Sequence, residues 1–199
     1  SKQQDGKISL LIDIQNNIKA QQSAGFTHWA KLNNLKQAAK TMNFLTEHGI
    51  GSYEELECKV DAVSARRDTT HTEIKRIESR SAKLTLVMKH ATTYRQLKPI
   101  YDRYRKSGDK EKFLRGHESE IILFEAAARE LKRLGAVPLP TTESMKTELA
   151  KLNAEKERLL TEYKTARTEA QEYDTVKQNV DALLAVPKEQ EQQRRHELE

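Results

Sequence analysis

At 199 residues the chain is long enough for one or two domains, but only 36% of its residues are apolar and 33% are charged. So low an apolar content excludes a thick globular core and favours thin layers, such as two or three helices that share a narrow seam. The net charge of +5 is compatible with nucleic acid or acidic partners and establishes neither. The single cysteine, Cys58, excludes an internal disulfide, and no apolar run approaches the roughly 20 residues that span a bilayer.

The first part of the chain predicts two helices separated by Gly25. The first covers about residues 7–22. The second covers about residues 27–48, where apolar residues including Trp29 recur at helical spacing. Gly49 marks its end, because glycine is favoured just after a helix C-terminus.

A capping box, Ser52 to Glu55, opens the clearest helix in the chain, because a serine followed three positions later by glutamate satisfies early backbone N–H groups. Pro99 falls within this helical composition and predicts a kink instead of an end. The seam positions alternate by three and four residues, which is the heptad rule. They are Tyr53, Leu56, Val60, Val63, Arg67, Thr70, Ile74, Ile77, Ser81, Leu84, Met88 and Ala91.

The second half predicts a turn at residues 107–109, a helix over about residues 117–134 that Gly135 ends, and a last helix over about residues 142–185. Thr141 or Thr142 caps that last helix. Its heptad seam comprises Met145, Leu149, Leu152, Lys156, Leu159, Tyr163, Ala166, Ala170, Tyr173, Lys177, Val180 and Leu184.

Two heptad-patterned helices of similar length predict an all-α fold, an elongated helical assembly built on a long antiparallel coiled-coil hairpin of about residues 52–98 with 142–185. Shorter helices flank the hairpin at the N-terminus and at its tip. The expected register places Ser81 opposite Lys156, and Arg67 near Glu169 and Glu172. The predicted domains are an N-terminal helical pair (1–51), the hairpin with a helical tip at about 99–140 (52–186), and a flexible tail whose end resembles a tag remnant (187–199).

Residues that could perform chemistry are scattered along the helices. None of the six histidines forms a metal-binding pair, Cys58 has no activating histidine, and no glycine-rich phosphate loop or Gly-x-Ser-x-Gly motif occurs. We therefore expect no enzyme active site, no metal and no cofactor in this chain.

One basic constellation, the segment Tyr94–Arg115, supplies a candidate DNA-binding site. Cations that neutralise phosphates beside rings that stack on bases are typical of single-strand binding. In the alternative interpretation, which we favour, the rings close the apolar core of the tip and the charges are solvated. The candidate residues are Arg95, Lys98, Tyr101, Arg103, Tyr104, Arg105, Lys106, Lys110, Lys112 and Arg115, with Tyr94 and Phe113 interleaved.

Three segments carry a resemblance to a known family: KISLLIDIQNNIKAQQSAGFTHWAKLNNLKQAAKTMNFLTEHGI, YRKSGDKEKFLRGHESEIILFEAA and NVDALL. They resemble the C-terminal region of relaxases, the mobilisation nucleases of conjugative and mobilisable elements in Firmicutes and related gut bacteria. The likeness lies in the general character of the sequence and in short segments, and not in a catalytic motif. It covers less than half of the chain.

In that family a tyrosine cuts one DNA strand at the transfer origin and a histidine cluster holds the assisting metal, both in an N-terminal nuclease domain. No residue here matches either, so the resemblance implies a non-catalytic accessory region in the bacterial cytoplasm. The implied partners are DNA at a transfer origin, proteins of the relaxosome or transfer machinery, and a second copy in a homodimer. The alternative is a coiled-coil scaffold or dimerisation module that binds no nucleic acid.

Overall fold

The computed structural model describes the backbone of residues 9–32 and 35–185 and the side chains of residues 9–20 and 35–185. Within these residues all regular structure is α-helical, which confirms the predicted fold class. No helix in this part of the chain is long and apolar enough to cross a membrane. The helices are α1 (Ser9–Leu32), α2 (Leu35–Glu47), α3 (Tyr53–Lys106), α4 (Lys110–Arg133) and α5 (Thr142–Leu184).

The N-terminal helices differ from the prediction in where they divide. α1 continues through Gly25, so the predicted break there is wrong, and α2 begins only at Leu35. A glycine inside a helix costs about 1 kcal/mol relative to alanine, which is too little to end a helix by itself. Trp29 falls within α1, and its side chain lies outside the described set.

Two helices end at the glycines that the sequence indicated. Gly49 has a φ of 63° and donates its N–H to the Thr46 carbonyl at 3.2 Å, while Ile50 donates to the Leu45 carbonyl at 2.9 Å. This pair of hydrogen bonds is the Schellman motif, which needs a left-handed residue at its turn. Gly135, with a φ of 69°, ends α4 in the same way.

The helix starts are also capped near the predicted positions. Ser52 Oγ accepts the N–H of Glu55 at 3.1 Å, and the Glu55 carboxylate accepts the N–H of Gly51 at 2.8 Å, one residue before the predicted donor, the N–H of Ser52. At α5, Thr141 Oγ1 accepts the N–H of Ser144 at 3.1 Å, which identifies Thr141 as the cap.

The described residues form two compact units. The first unit contains the residues up to Thr69 and those from Tyr163 onward, and the second unit is Thr70–Glu162. Both long helices contribute residues to both units. The core of the first unit joins α1, α2, α3 and α5 through Leu10, Ile14, Ala38, Phe44, Leu45, Ile50, Leu56, Val63, Ala170, Tyr173, Val176, Val180 and Leu183.

In the first unit α3 and α5 run antiparallel, as predicted for the hairpin. The Tyr53 hydroxyl donates to the Asp181 carboxylate at 2.5 Å, and Arg66 forms a 3.3 Å salt bridge with Glu169. Residue numbers therefore rise along one helix as they fall along the other. Arg67, the residue predicted to lie near Glu169 and Glu172, forms a 2.9 Å salt bridge with Asp68.

In the second unit the same helices are again antiparallel. Lys156 forms a 3.1 Å ion pair with Glu78, and Arg80 pairs with Glu148 at 2.7 Å. The predicted opposition of Lys156 and Ser81 is therefore wrong by about one helical turn. Ser81 Oγ is instead buried and has no hydrogen-bond partner among the described residues.

Every predicted seam residue of α3 and α5 is buried or half-buried. The strict heptad rule missed the further buried positions Val87, Val176 and Leu183. A helix that contacts more than one neighbour buries a wider stripe than a two-stranded coiled coil does, which explains these additional positions.

Candidate nucleic-acid interface

The basic segment, Tyr94–Arg115, lies within the second unit and contains the end of α3, a short turn and the start of α4. α3 continues through Pro99 to Lys106, and α4 begins at Lys110. Asp109 caps α4, because its carboxylate accepts the N–H of Lys112 at 3.0 Å. The Ser107 hydroxyl donates to the Asp109 carbonyl at 3.0 Å, so hydrogen bonds fix the turn between the two helices.

The helix that follows the turn is longer than predicted and has a kink. His117, the predicted helix start, has non-helical angles (φ −139°, ψ 22°) inside α4, and its Nδ1 lies 2.6 Å from a Glu120 carboxylate oxygen. The prediction therefore gave the regular second part of α4 correctly. It missed the first turns, which begin at the Asp109 cap.

The aromatic side chains of the basic segment form a continuous row between α3 and α4. The ring of Phe124 stacks on Tyr94 at 4.7 Å and on Tyr101 at 4.2 Å between centroids. Tyr104 continues the row to Phe113 at 6.1 Å. Both Tyr101 and Tyr104 are half-buried. These contacts are those of the interpretation in which the rings close an apolar core, and they cover one face each of Tyr94 and Tyr101.

Two of the candidate cations already have partners in the protein. Arg95 donates to Thr142 Oγ1 at 2.7 Å and to the Pro140 carbonyl at 2.5 Å, so it holds the start of α5. Lys98 pairs with Asp102 at 2.8 Å, and the hydrogen bond to this carboxylate raises the pKa of Lys98. Both side chains therefore have a structural role whether or not DNA binds.

The remaining cations of the segment are exposed. The Lys110 ammonium lies 5.9 Å from the centroid of the Tyr104 ring, a cation–π contact. Within the described residues, five further side chains make no ion pair and so keep their charge available to an anionic partner. They are Arg103, Arg105, Lys106, Lys112 and Arg115.

Only some of these cations interact favourably with the dipole of their own helix. Arg103, Arg105 and Lys106 occupy the last turn of α3, where each cation stabilises the helix dipole by about 0.3–1 kcal/mol. Lys110 and Lys112 occupy the first turn of α4, where a cation opposes the dipole. These two lysines therefore do not stabilise their own helix, which is the feature that most favours a binding role.

A separate groove in the first unit has a different character. It has a volume of about 710 Å³ and lies between α2 and α5. Gln37 donates to Asn179 at 3.1 Å beside it, and Lys36, Lys40 and Glu172 line its walls. The other lining residues are mostly threonine, glutamine and asparagine. The described residues also contain no group of three or more His, Cys, Asp or Glu side chains that could hold a metal ion.

The fold and this surface together define an all-α protein with an exposed basic junction between two helices. Comparisons with protein-family models, with curated proteins and with solved structures gave no match.

Proposed function

We propose that this chain binds DNA through its phosphate backbone and serves as a non-catalytic accessory region of a DNA-mobilisation relaxase. The observation that carries the proposal is the cluster of exposed cations around the α3–α4 turn. Lys110 and Lys112 matter most, because they lie where they weaken the helix dipole. A negative phosphate near them would remove that unfavourable interaction.

The mode of binding follows from the packing of the rings. Because Tyr94 and Tyr101 stack on Phe124, base stacking would require the junction to open. Phosphate contacts require no such change, since the cations are already exposed. We therefore expect binding that depends weakly on base sequence and steeply on salt, since each phosphate neutralised on duplex DNA contributes about −0.9 to the slope of log K against log salt.

The relaxase part of the proposal rests on the resembling segments. The middle one, residues 104–127, includes the exposed cations of the turn except Arg103, and most of α4. In a relaxase, such a region would hold DNA or contact other proteins of the relaxosome or transfer machinery during conjugative transfer, while the nuclease domain cuts. The nicking step itself is assigned to no residue of this chain.

DNA binding can be tested by fluorescence anisotropy with labelled duplex and single-stranded DNA at two salt concentrations. The triple variant Lys110→Gln, Lys112→Gln, Arg115→Gln should bind at least tenfold more weakly at low salt, and its salt slope should fall by about 2 to 3. The matched control neutralises three other exposed cations of the second unit, Lys83, Lys89 and Lys146, and should keep most of the affinity.

Two outcomes would contradict the proposal. If the wild-type chain shows no binding at low salt, it does not act through phosphates. If both triple variants lose affinity equally, the binding reflects net charge and not the basic segment.

A further inference from the structure

The groove between α2 and α5 in the first unit has two walls of different chemistry. On the α2 wall, Lys36 and Lys40 lie one turn apart, so their charges are neighbours on one helix face. The α5 wall contributes oxygen atoms from Thr168, Thr175 and Glu172. A ligand of this groove therefore meets cations on one side and oxygen atoms on the other.

Hydrogen bonds inside α5 decide what its threonines can offer. Thr168 Oγ1 donates to the Lys164 carbonyl at 3.0 Å. Thr175 Oγ1 donates in the same way to the Gln171 carbonyl at 2.9 Å. Because a hydroxyl has one hydrogen, both oxygens keep only lone pairs for a ligand, and the exposed Glu172 carboxylate can likewise only accept. The α5 wall thus fits hydrogen-bond donors, whereas the α2 wall fits anions.

A single strand of nucleic acid carries both kinds of group. Its phosphates are anionic, and the N4 amino group of cytosine is a donor that a glutamate accepts. A docked peptide is held by large side chains that fill apolar pockets, but Phe44 and Val176, the apolar residues of the lining, are 8% and 6% exposed. The axes of packed helices are about 8–10 Å apart, so the groove admits a single strand and not a duplex.

We propose that this groove is a second nucleic-acid site, which binds a single strand containing cytosine. Lys36 and Lys40 bind neighbouring phosphates, and Glu172 accepts a hydrogen bond from the amino group of a base. The site is weaker than the α3–α4 turn, because it offers fewer cations. The inference rests on the proposed function in that the chain binds nucleic acid, but it uses no residue of the basic segment.

Binding in the groove is measured by fluorescence anisotropy in the triple variant of the basic segment. This variant should still bind a labelled hexamer of deoxycytidylate at low salt and neutral pH, more weakly than the wild type does. Adding Lys36→Gln and Lys40→Gln should weaken the remaining binding at least tenfold. The salt slope should fall by about 1 to 1.5, since each phosphate of a single strand contributes about 0.7. The matched control adds Lys83→Gln and Lys89→Gln, two exposed lysines of α3, and should change little.

The contact with the base is tested with two hexamers that carry the same phosphates. Deoxycytidylate should bind about fivefold more tightly than thymidylate, whose base has no amino group. Glu172→Ala should remove this preference, although the loss of a negative charge raises the affinity for both strands. The control Glu157→Ala removes an exposed carboxylate of α5 outside the groove and should keep the preference.

The position of the strand is tested without any change of charge. Thr175→Trp places a large ring in the groove and should weaken binding of the deoxycytidylate hexamer at least tenfold. Thr161→Trp is the control, because Thr161 is also exposed on α5 and makes the equivalent hydrogen bond, to the Glu157 carbonyl at 3.2 Å, outside the groove. Its effect should be small.

The groove and the basic segment can fail separately. If the triple variant loses all hexamer binding, the groove is not a site and the basic segment remains one. If the triple variant binds the hexamer as tightly as the wild type and Lys36→Gln with Lys40→Gln removes that binding, the groove is supported and the basic segment is contradicted. Equal affinity for the two hexamers, equal loss in both tryptophan variants, or displacement by polyglutamate as readily as by deoxycytidylate would overturn the inference.

Discussion

The first and second units each contain an aromatic cluster, and the two clusters differ in what surrounds them. In the first unit Phe44 meets Tyr173 edge to face at 5.1 Å and stacks on His48 at 3.9 Å. Tyr173 is 5% exposed, and burial raises its pKa. In the second unit Tyr101 and Tyr104 are only half-buried, although they take part in a longer row of rings.

The two clusters differ in whether the charges near the rings are paired. Rings of the first unit complete a core that four helices share, and charges near it are paired, as Lys177 and Asp181 are at 3.4 Å. In the second unit the Lys110 ammonium lies over the Tyr104 ring, and this lysine makes no ion pair with the described residues. Aromatic packing beside paired charge stabilises a fold, whereas aromatic packing beneath unpaired charge can present that charge to a partner.

The largest loss of stability is expected at Phe124, whose ring stacks on Tyr94 and Tyr101 in the second unit. Phe124→Ala should lower the free energy of unfolding by about 3–5 kcal/mol, because it removes a buried ring and leaves a cavity. The matched control is its exposed neighbour, in the variant Leu123→Ala, which should change stability by less than about 0.5 kcal/mol. Urea unfolding measures both, at concentrations where the chain is monomeric. A small loss for Phe124→Ala would show that the row of rings does not stabilise the second unit.

A smaller effect, similar in both units, is expected at the helix-ending glycines. Gly49→Ala and Gly135→Ala should each cost about 1–2 kcal/mol, because alanine is strained at the positive φ that both positions require. Gly108→Ala is the control, since a Cβ there meets nothing within 4 Å and its φ lies outside the left-handed region. Thermal unfolding gives the ranking. If Gly108→Ala were as costly as the other two, the left-handed turn would not be the cause of the loss.

Much of the fold could be predicted from the sequence, because the patterns that mark helix starts, helix ends and packing seams are local. The Ser52 cap, the Gly49 and Gly135 stops and the heptad seams each depend on residues within a few positions of one another. The false break at Gly25 came from the same reasoning, because an interior glycine and a terminal one look alike without their hydrogen bonds. The kink at His117 had no local signal strong enough to predict it.

The candidate site could be predicted only in part, because the packing of its aromatic rings depends on contacts between residues far apart in the sequence. Tyr94 and Tyr101 were grouped with the cations by their closeness along the chain, while their partner Phe124 lies on another helix. One signal could have identified it: Phe124 shares a helical stripe with Ile121 and Leu131, which marks it as inward-facing. Side-chain pairs such as Lys156 with Glu78 reveal the register of α3 and α5, and the seam pattern alone could not distinguish it from a neighbouring register.

The smallest expected effect is a change in stability at alkaline pH. It distinguishes the aromatic cluster of the first unit from that of the second. The raised pKa of Tyr173 means that the folded protein favours the neutral phenol, so this contribution to stability is complete below the ordinary value of 10.0 and is lost as pH rises through the folded pKa. Tyr173→Phe cannot ionise and should therefore lose stability less steeply than the wild type over that range. Urea unfolding at a series of alkaline pH values measures the slope.

The cause of that shift can be tested in the same range. Burial is the largest cause of the raised pKa, ahead of the charges of Glu169 and Glu172. Glu169→Gln with Glu172→Gln should therefore lower the pKa of Tyr173 only in part, as followed by the absorbance of the ionised phenol. Asp181→Asn should leave it unchanged, because Asp181 acts on Tyr53 instead, whose pKa it raises through a hydrogen bond. A full return to the ordinary value in the double glutamine variant would mean that charge, and not burial, distinguishes the aromatic cluster of the first unit.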